Sequence, residues 1–171
     1  MNKLKFVTIS CIALVVVLGL IRINRNREPM KEMVTKQIKT TDPPCLQMYF
    51  YIEKYAEEYN IPRSYAYGIA YCETRYNGPF HWNYVSSQTS SVGAVGPMQI
   101  MLATANYINK NKTTKDKLKN DIELNVKTSM KLLRHLKDTY HDWKLVFGCY
   151  NTGRPMVNNY AIRVYNYKPN W

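Results

Sequence analysis

Met48, Tyr51, Ile52, Tyr55, Ala56 and Tyr59 fall at i, i+3, i+4, i+7, i+8 and i+11. That spacing draws a single stripe down one face of a helix. No stretch of the chain alternates convincingly with the two-residue period of a strand. A chain patterned this way buries itself by packing helix on helix, so the expected fold class is mainly α. Asn60-Ile-Pro62 breaks the first helix and starts a second over about 62–75, apolar on most sides, with Pro62 suited to a first turn. Residues 76–91 read as a loop. "PMQIMLATANYIN", 97–109, reads as a short helix after a glycine-rich turn. Thr113 or Thr114 can cap "KDKLKND". From Asp121, the residues Ile122, Val126, Met130, Leu133 and Leu136 mark a long amphipathic helix whose other face is basic and solvated. "WKLVFGCYN" is a further apolar helix stopped by Gly153 and Pro155, and 156–167 make the last one.

This helical domain is expected over 45–171, after three other segments. Residues 1–5 form a short basic tail. Phe6–Ile21 is an apolar run of 16 residues, short for a span and sufficient if Ile23 and the flanks help, so 6–23 reads as a transmembrane helix. "RINRNREPMK" beyond it offers no small-x-small cleavage site, which favours an anchor or uncleaved signal. Residues 24–44 are polar and basic, end in "TTDPP", and read as a linker. Arg22, Arg25 and Arg27 outnumber Lys3 and Lys5, so charge alone would leave the domain on the cytoplasmic side.

The net charge of +12 divides into +5 before residue 45 and +7 in the domain. Such a domain prefers polyanions: nucleic acid, anionic lipid or cell wall. No zinc-finger spacing, RNA-binding aromatic signature or basic zipper is present, and no nucleic-acid partner is expected. The four cysteines include no C-x-x-C pair, so no metal site is expected. Cys72 and Cys149 suit small apolar core positions, with a bridge between them left open. No spacing ties His81, His135 or His141 to a cysteine as a catalytic base.

Three stretches carry more than packing requires. "ETRYN", 73–77, sets one acid at the end of a buried helix; "RSYAYGIA" before it holds none. In "SSVGAVGPMQIMLATA", 90–105, Gly93 and Gly96 allow a tight turn and a close approach, and they lead to Gln99. "CYNTG", 149–153, closes a helix with Tyr150, Asn151 and a stop glycine. Burial raises a carboxyl pKa because the charged form is desolvated, so Glu73 can hold a proton to give to a leaving oxygen. No second acid lies in these three stretches. Phe80, Trp82 and Tyr84, in the loop between, could stack on sugar rings, although loop packing is the reading favoured for them.

In that order, "ETRYN…SSVGAVGPMQIMLATA…FGCYNTG" resembles the lysozyme-like catalytic domain of lytic transglycosylases of the soluble-lytic-transglycosylase type, a scaffold shared with goose-type lysozymes. The resemblance covers roughly 45–168. It implies a lysozyme-like helical domain and makes Glu73 the catalytic acid. It also implies that Ser90, Met98, Gln99, Tyr150, Asn151 and Tyr160 line the substrate site. Thr74, Pro97, Leu102 and Thr152 depart from the family pattern, and none of them removes a catalytic group.

The function this implies is a peptidoglycan lytic transglycosylase. It would cleave the β-1,4 bond between N-acetylmuramic acid and N-acetylglucosamine and leave 1,6-anhydro ends, without metal or cofactor. The expected partners are the glycan strands, the membrane through the N-terminal helix, and a secretion or conjugation apparatus. That function needs the domain outside the cytoplasmic membrane, against the charge-based orientation. The alternatives are a lysozyme-type muramidase and a weakly active wall-binding component of a secretion or conjugation system.

Overall fold

The computed structural model describes residues 38–171. The expected span over 6–23 and most of the linker over 24–44 lie outside the described residues. No helix among the described residues is long and apolar enough to cross a membrane. At residues 39–42 a turn, closed by Asp42 N–H to the Lys39 carbonyl at 3.0 Å, leads into the first helix. The Gln47 side-chain amide donates to the Thr40 and Asp42 carbonyls at 3.0 and 2.6 Å and fixes that approach.

Seven helices follow: α1 Pro44–Glu58, α2 Arg63–Thr74, α3 Leu102–Asn109, α4 Lys115–Asn120, α5 Ile122–Tyr140, α6 Trp143–Thr152 and α7 Asn159–Tyr165. Four of them begin at a side-chain cap. Thr114, Asp121, Asp142 and Asn158 each accept a backbone N–H of the helix they precede. α1 and α2 instead start behind Pro43 and Pro62, whose fixed φ suits a helix entrance. α5 lies along α1 and α6, and α7 packs against α6 and α2. The buried stripe of α1 (Met48, Ile52, Tyr55, Ala56) meets that of α5 (Val126, Met130, Leu133). Ile69 and Phe147 extend the core toward α2 and α6. The result is mainly α, as the periodicity requires.

Two helix starts differ from expectation. The helix predicted over 97–109 begins at Leu102, because Gly96–Gln99 forms a β-turn instead. Gln99 N–H donates to the Gly96 carbonyl at 3.1 Å, and Val95 and Ile100 exchange hydrogen bonds at 3.1 and 3.0 Å across it. Pro97 has no N–H to give and its φ suits the second position of such a turn. The last helix starts at Asn159 rather than Met156, with Asn158 as its cap. Cys45 is buried, whereas Cys72 and Cys149 are half-buried, and all three are free thiols.

Candidate active site

Glu73 occupies the last turn of α2, which ends at Arg75 in the left-handed region with φ 61. That helix end points the residue at α7. The Tyr160 hydroxyl donates to Glu73 Oε1 at 2.6 Å. Burial raises the Glu73 pKa above the ordinary carboxylate value, and the Tyr160 hydrogen bond lowers it by a smaller amount. The partial negative charge of the α2 C-terminus acts in the same direction as burial. Burial and the Glu73 charge push the phenols of Tyr160 and Tyr150 well above their ordinary value, so both stay protonated donors. Among the described residues, no other carboxylate shifts the proton affinity of Glu73.

Thr74, the next residue, fastens α2 to the loop that faces it. Its hydroxyl lies 2.8 Å from the Pro97 carbonyl and 2.8 Å from the Tyr84 hydroxyl. A hydroxyl has one hydrogen. The Ala70 carbonyl lies 3.2 Å away as well, and both carbonyls can only accept, so Thr74 donates to the nearer one, Pro97, and accepts from Tyr84. The Gly96–Gln99 turn is held from two more sides. Tyr150 donates to the Met98 carbonyl at 2.7 Å, and the Ser129 hydroxyl lies 2.9 Å from Tyr150. Asn125, fully buried on α5, accepts from Met98 N–H at 2.9 Å and donates to the Val95 and Leu118 carbonyls at 2.9 Å each. Gly96 has φ 77, and a side chain there would collide with the Asn125 amide. Three helices thus grip one turn, and the turn sits against the residue after Glu73.

The other expected site residues fall as follows. Glu73 and Tyr160 are in direct contact, and Tyr150 lies within reach of the Glu73 charge. The Met98 side chain is fully buried in the core, while its carbonyl receives Tyr150. Gln99 is half-buried in the left-handed region with φ 49, and its amide donates to the Gly96 carbonyl at 2.8 Å. The Ser90 hydroxyl accepts from Ala94 N–H at 3.0 Å and shapes the turn at Gly93. Asn151 is exposed at the end of α6 and accepts from the Asn158 side-chain amide at 3.2 Å. Among the described residues, no group of three His, Cys, Asp or Glu side chains could hold a metal ion.

Sequence reading missed Asn125, Ser129 and Asn158, and it noted Thr74 only as a variant. A signal existed for two of them. Asn125 and Ser129 lie three and seven residues after Ile122, on the apolar face of α5, where a polar side chain needs a partner.

The description "Transglycosylase SLT domain" belongs to the family that matches residues 50–170. Two solved structures resemble the fold at 26% sequence identity. One is the complex of the 70-kDa soluble lytic transglycosylase with bulgecin A, at a TM-score of 0.51. The other is the 70 kDa soluble lytic transglycosylase from Escherichia coli, at 0.50. Each similarity covers 67% of this chain and 18% of the other, so the chain spans under a fifth of those relatives. No curated protein sequence matches the chain.

Proposed function

The chain belongs to the transglycosylase SLT domain family, and from that premise we propose that it cleaves the glycan strands of peptidoglycan by intramolecular transglycosylation. The bond broken joins C1 of N-acetylmuramic acid to O4 of N-acetylglucosamine. Glu73, protonated, gives its proton to the departing O4 as the C1–O4 bond breaks. The muramic acid N-acetyl carbonyl oxygen supports the cationic C1 from the opposite side. The Glu73 carboxylate then takes the proton from the 6-hydroxyl of the same sugar, and O6 bonds to C1. No water is consumed, and Glu73 ends protonated as it began.

The observation that carries this reading is a single carboxylate with a raised proton affinity, bonded to a buried phenol 2.6 Å away. One acid that first gives and then takes a proton needs no partner carboxylate. Tyr160 and Tyr150 suit such a cycle because both remain neutral donors while Glu73 changes charge. The Asn151 side chain, exposed at the end of α6, is the group assigned to the substrate N-acetyl. In this reading residues 6–23 anchor the domain on the outer side of the cytoplasmic membrane, where peptidoglycan lies. A reporter fused to the C-terminus tests that topology, and a cytoplasmic signal contradicts it.

The activity is tested by turbidity loss of purified peptidoglycan with the parent protein and Glu73→Gln. Removing a general acid typically costs a factor of about 10²–10⁴. Clearing by Glu73→Gln at the parent rate would remove Glu73 from the mechanism.

A further inference from the structure

Phe80 and Trp82 behave unlike the third aromatic of their loop. Tyr84 is buried, 5% exposed, with its ring edge-on to Tyr76 and its hydroxyl on Thr74. Phe80 and Trp82 are 61% and 60% exposed, with ring centroids 6.4 Å apart in an edge-to-face pair. Val85, 59% exposed, continues the apolar surface. The loop-packing expectation therefore holds for Tyr84 and fails for the other two. Folding gains little from two large rings left in water. Exposed apolar groups gathered on one loop mark a contact surface more often than scattered ones do.

The loop is fastened to the active site at Tyr84 and at Gln88, both after the aromatic pair. Tyr84 hangs from Thr74, the residue after Glu73. At the far end the Gln88 carbonyl accepts from Gly96 N–H at 2.9 Å, and the Gln88 amide reaches the Val85 carbonyl at 2.8 Å. The turn that carries Gln99 thus holds the loop as well. Gly78 lies under the Trp171 ring, which braces the start. An aromatic pair on a loop braced this way is held in place before any ligand arrives.

We propose that Phe80 and Trp82 form a stacking platform for an N-acetylhexosamine ring of the glycan strand, beyond the sugars that Glu73 serves. This rests on the peptidoglycan reading above. A pyranose ring presents a face of C–H groups that packs on an aromatic face, and a polymer substrate extends past the bond being cut. The platform adds grip to long strands and takes no part in the proton transfers.

The test uses the full chain carrying Glu73→Gln, so that sugar is bound without turnover. A β-1,4-linked oligomer of N-acetylglucosamine is titrated and followed by calorimetry and by tryptophan emission. The chain has three tryptophans, and Trp82 is the exposed one, Trp143 and Trp171 being half-buried. Binding shifts the emission to the blue, and Trp82→Phe loses that shift while keeping the affinity. Trp82→Ala and Phe80→Ala each weaken binding about tenfold, and with Glu73 present each raises KM without lowering kcat. Affinity unchanged in both alanine variants overturns the platform and leaves the lytic activity of the parent untouched. No binding by Glu73→Gln also overturns it, and whether the parent clears peptidoglycan shows separately if the activity itself fails. Affinity for the oligomer unchanged while Trp82→Ala loses binding to anionic phospholipid vesicles overturns it in favour of a lipid surface.

Discussion

Glu73 is governed by two opposed influences, burial that favours its neutral form and the Tyr160 hydroxyl that favours its charge. Removing the second leaves the first. Tyr160→Phe therefore raises the Glu73 pKa further. The proposed mechanism needs protonated Glu73 at its first step, so activity falls as pH rises through that pKa. The alkaline limb of the kcat/KM profile should move to higher pH in Tyr160→Phe, and a limb that stays or moves down contradicts the assignment. The same shift has a stability consequence. A carboxyl whose folded pKa is raised contributes stability below its unfolded pKa, and that contribution is lost as pH rises through the folded pKa. Glu73→Gln removes the loss, because glutamine does not ionise. Its melting temperature relative to the parent should rise as pH goes from about 4 to neutral. A flat difference would mean that Glu73 ionises as freely as in the unfolded chain, and a falling one that the fold favours its charge; either contradicts the assignment. The identity of this residue was legible in the sequence only with the two later stretches beside it, since a lone acid on a helix is usually a solvated charge. Its phenolic partner was legible only through family resemblance, since Tyr160 is 87 residues away in the chain.

At the scale of elements, the site depends on how α5, α6 and α7 meet the loop before α3. Asn125 is the sharpest case. Asn125→Leu strands the Met98 N–H and the Leu118 carbonyl, while the Val95 carbonyl keeps the Ile100 N–H, at about 1–3 kcal/mol for each unpaired group. Urea unfolding should show a loss of about 2 kcal/mol or more, and a loss under about 1 kcal/mol would mean the turn finds other partners. Gly148, inside α6, is a second. A side chain there would fall on the Met156 carbonyl oxygen, because the segment leading to α7 crosses α6 at that point. Gly148→Ala should cost about 1–3 kcal/mol through overpacking. It should also lower kcat/KM, because displacing that crossing moves α7 and Tyr160 with it. Unchanged activity in a destabilised protein would show that α7 is placed by other contacts. The helix stripes of α1 and α5 could be read directly, since their period is set by burial on one face. The Gly96–Gln99 turn could not. Its sequence, "GPMQ", continues smoothly into the apolar "IMLATA", and only the pairing of Val95 with Ile100 reveals where the helix starts.

For the whole molecule, a formal charge of +12 suits the carboxylate-bearing glycan proposed as its substrate. Adsorption to peptidoglycan should weaken as salt rises from about 0.01 M to 0.15 M, where the screening length falls from about 30 Å to 8 Å. Sedimentation with insoluble wall material measures this, and salt-independent retention would mean that contact rather than charge holds the protein. Composition alone left nucleic acid, lipid and cell wall as partners. The order of three short stretches around one acid favours the cell wall, because it matches the transglycosylase SLT domain family. The exposed rings of Phe80 and Trp82 could not be separated from buried Tyr84 in the sequence, where all three look alike. The central claim, that Glu73 returns its proton to close an internal ring, is tested most directly by mass spectrometry of the fragments released from purified peptidoglycan. Fragments that end in 1,6-anhydro-muramic acid, one water lighter than the hydrolysed form, are the predicted result. Reducing-end muramic acid as the product would contradict the account and make the enzyme a hydrolase.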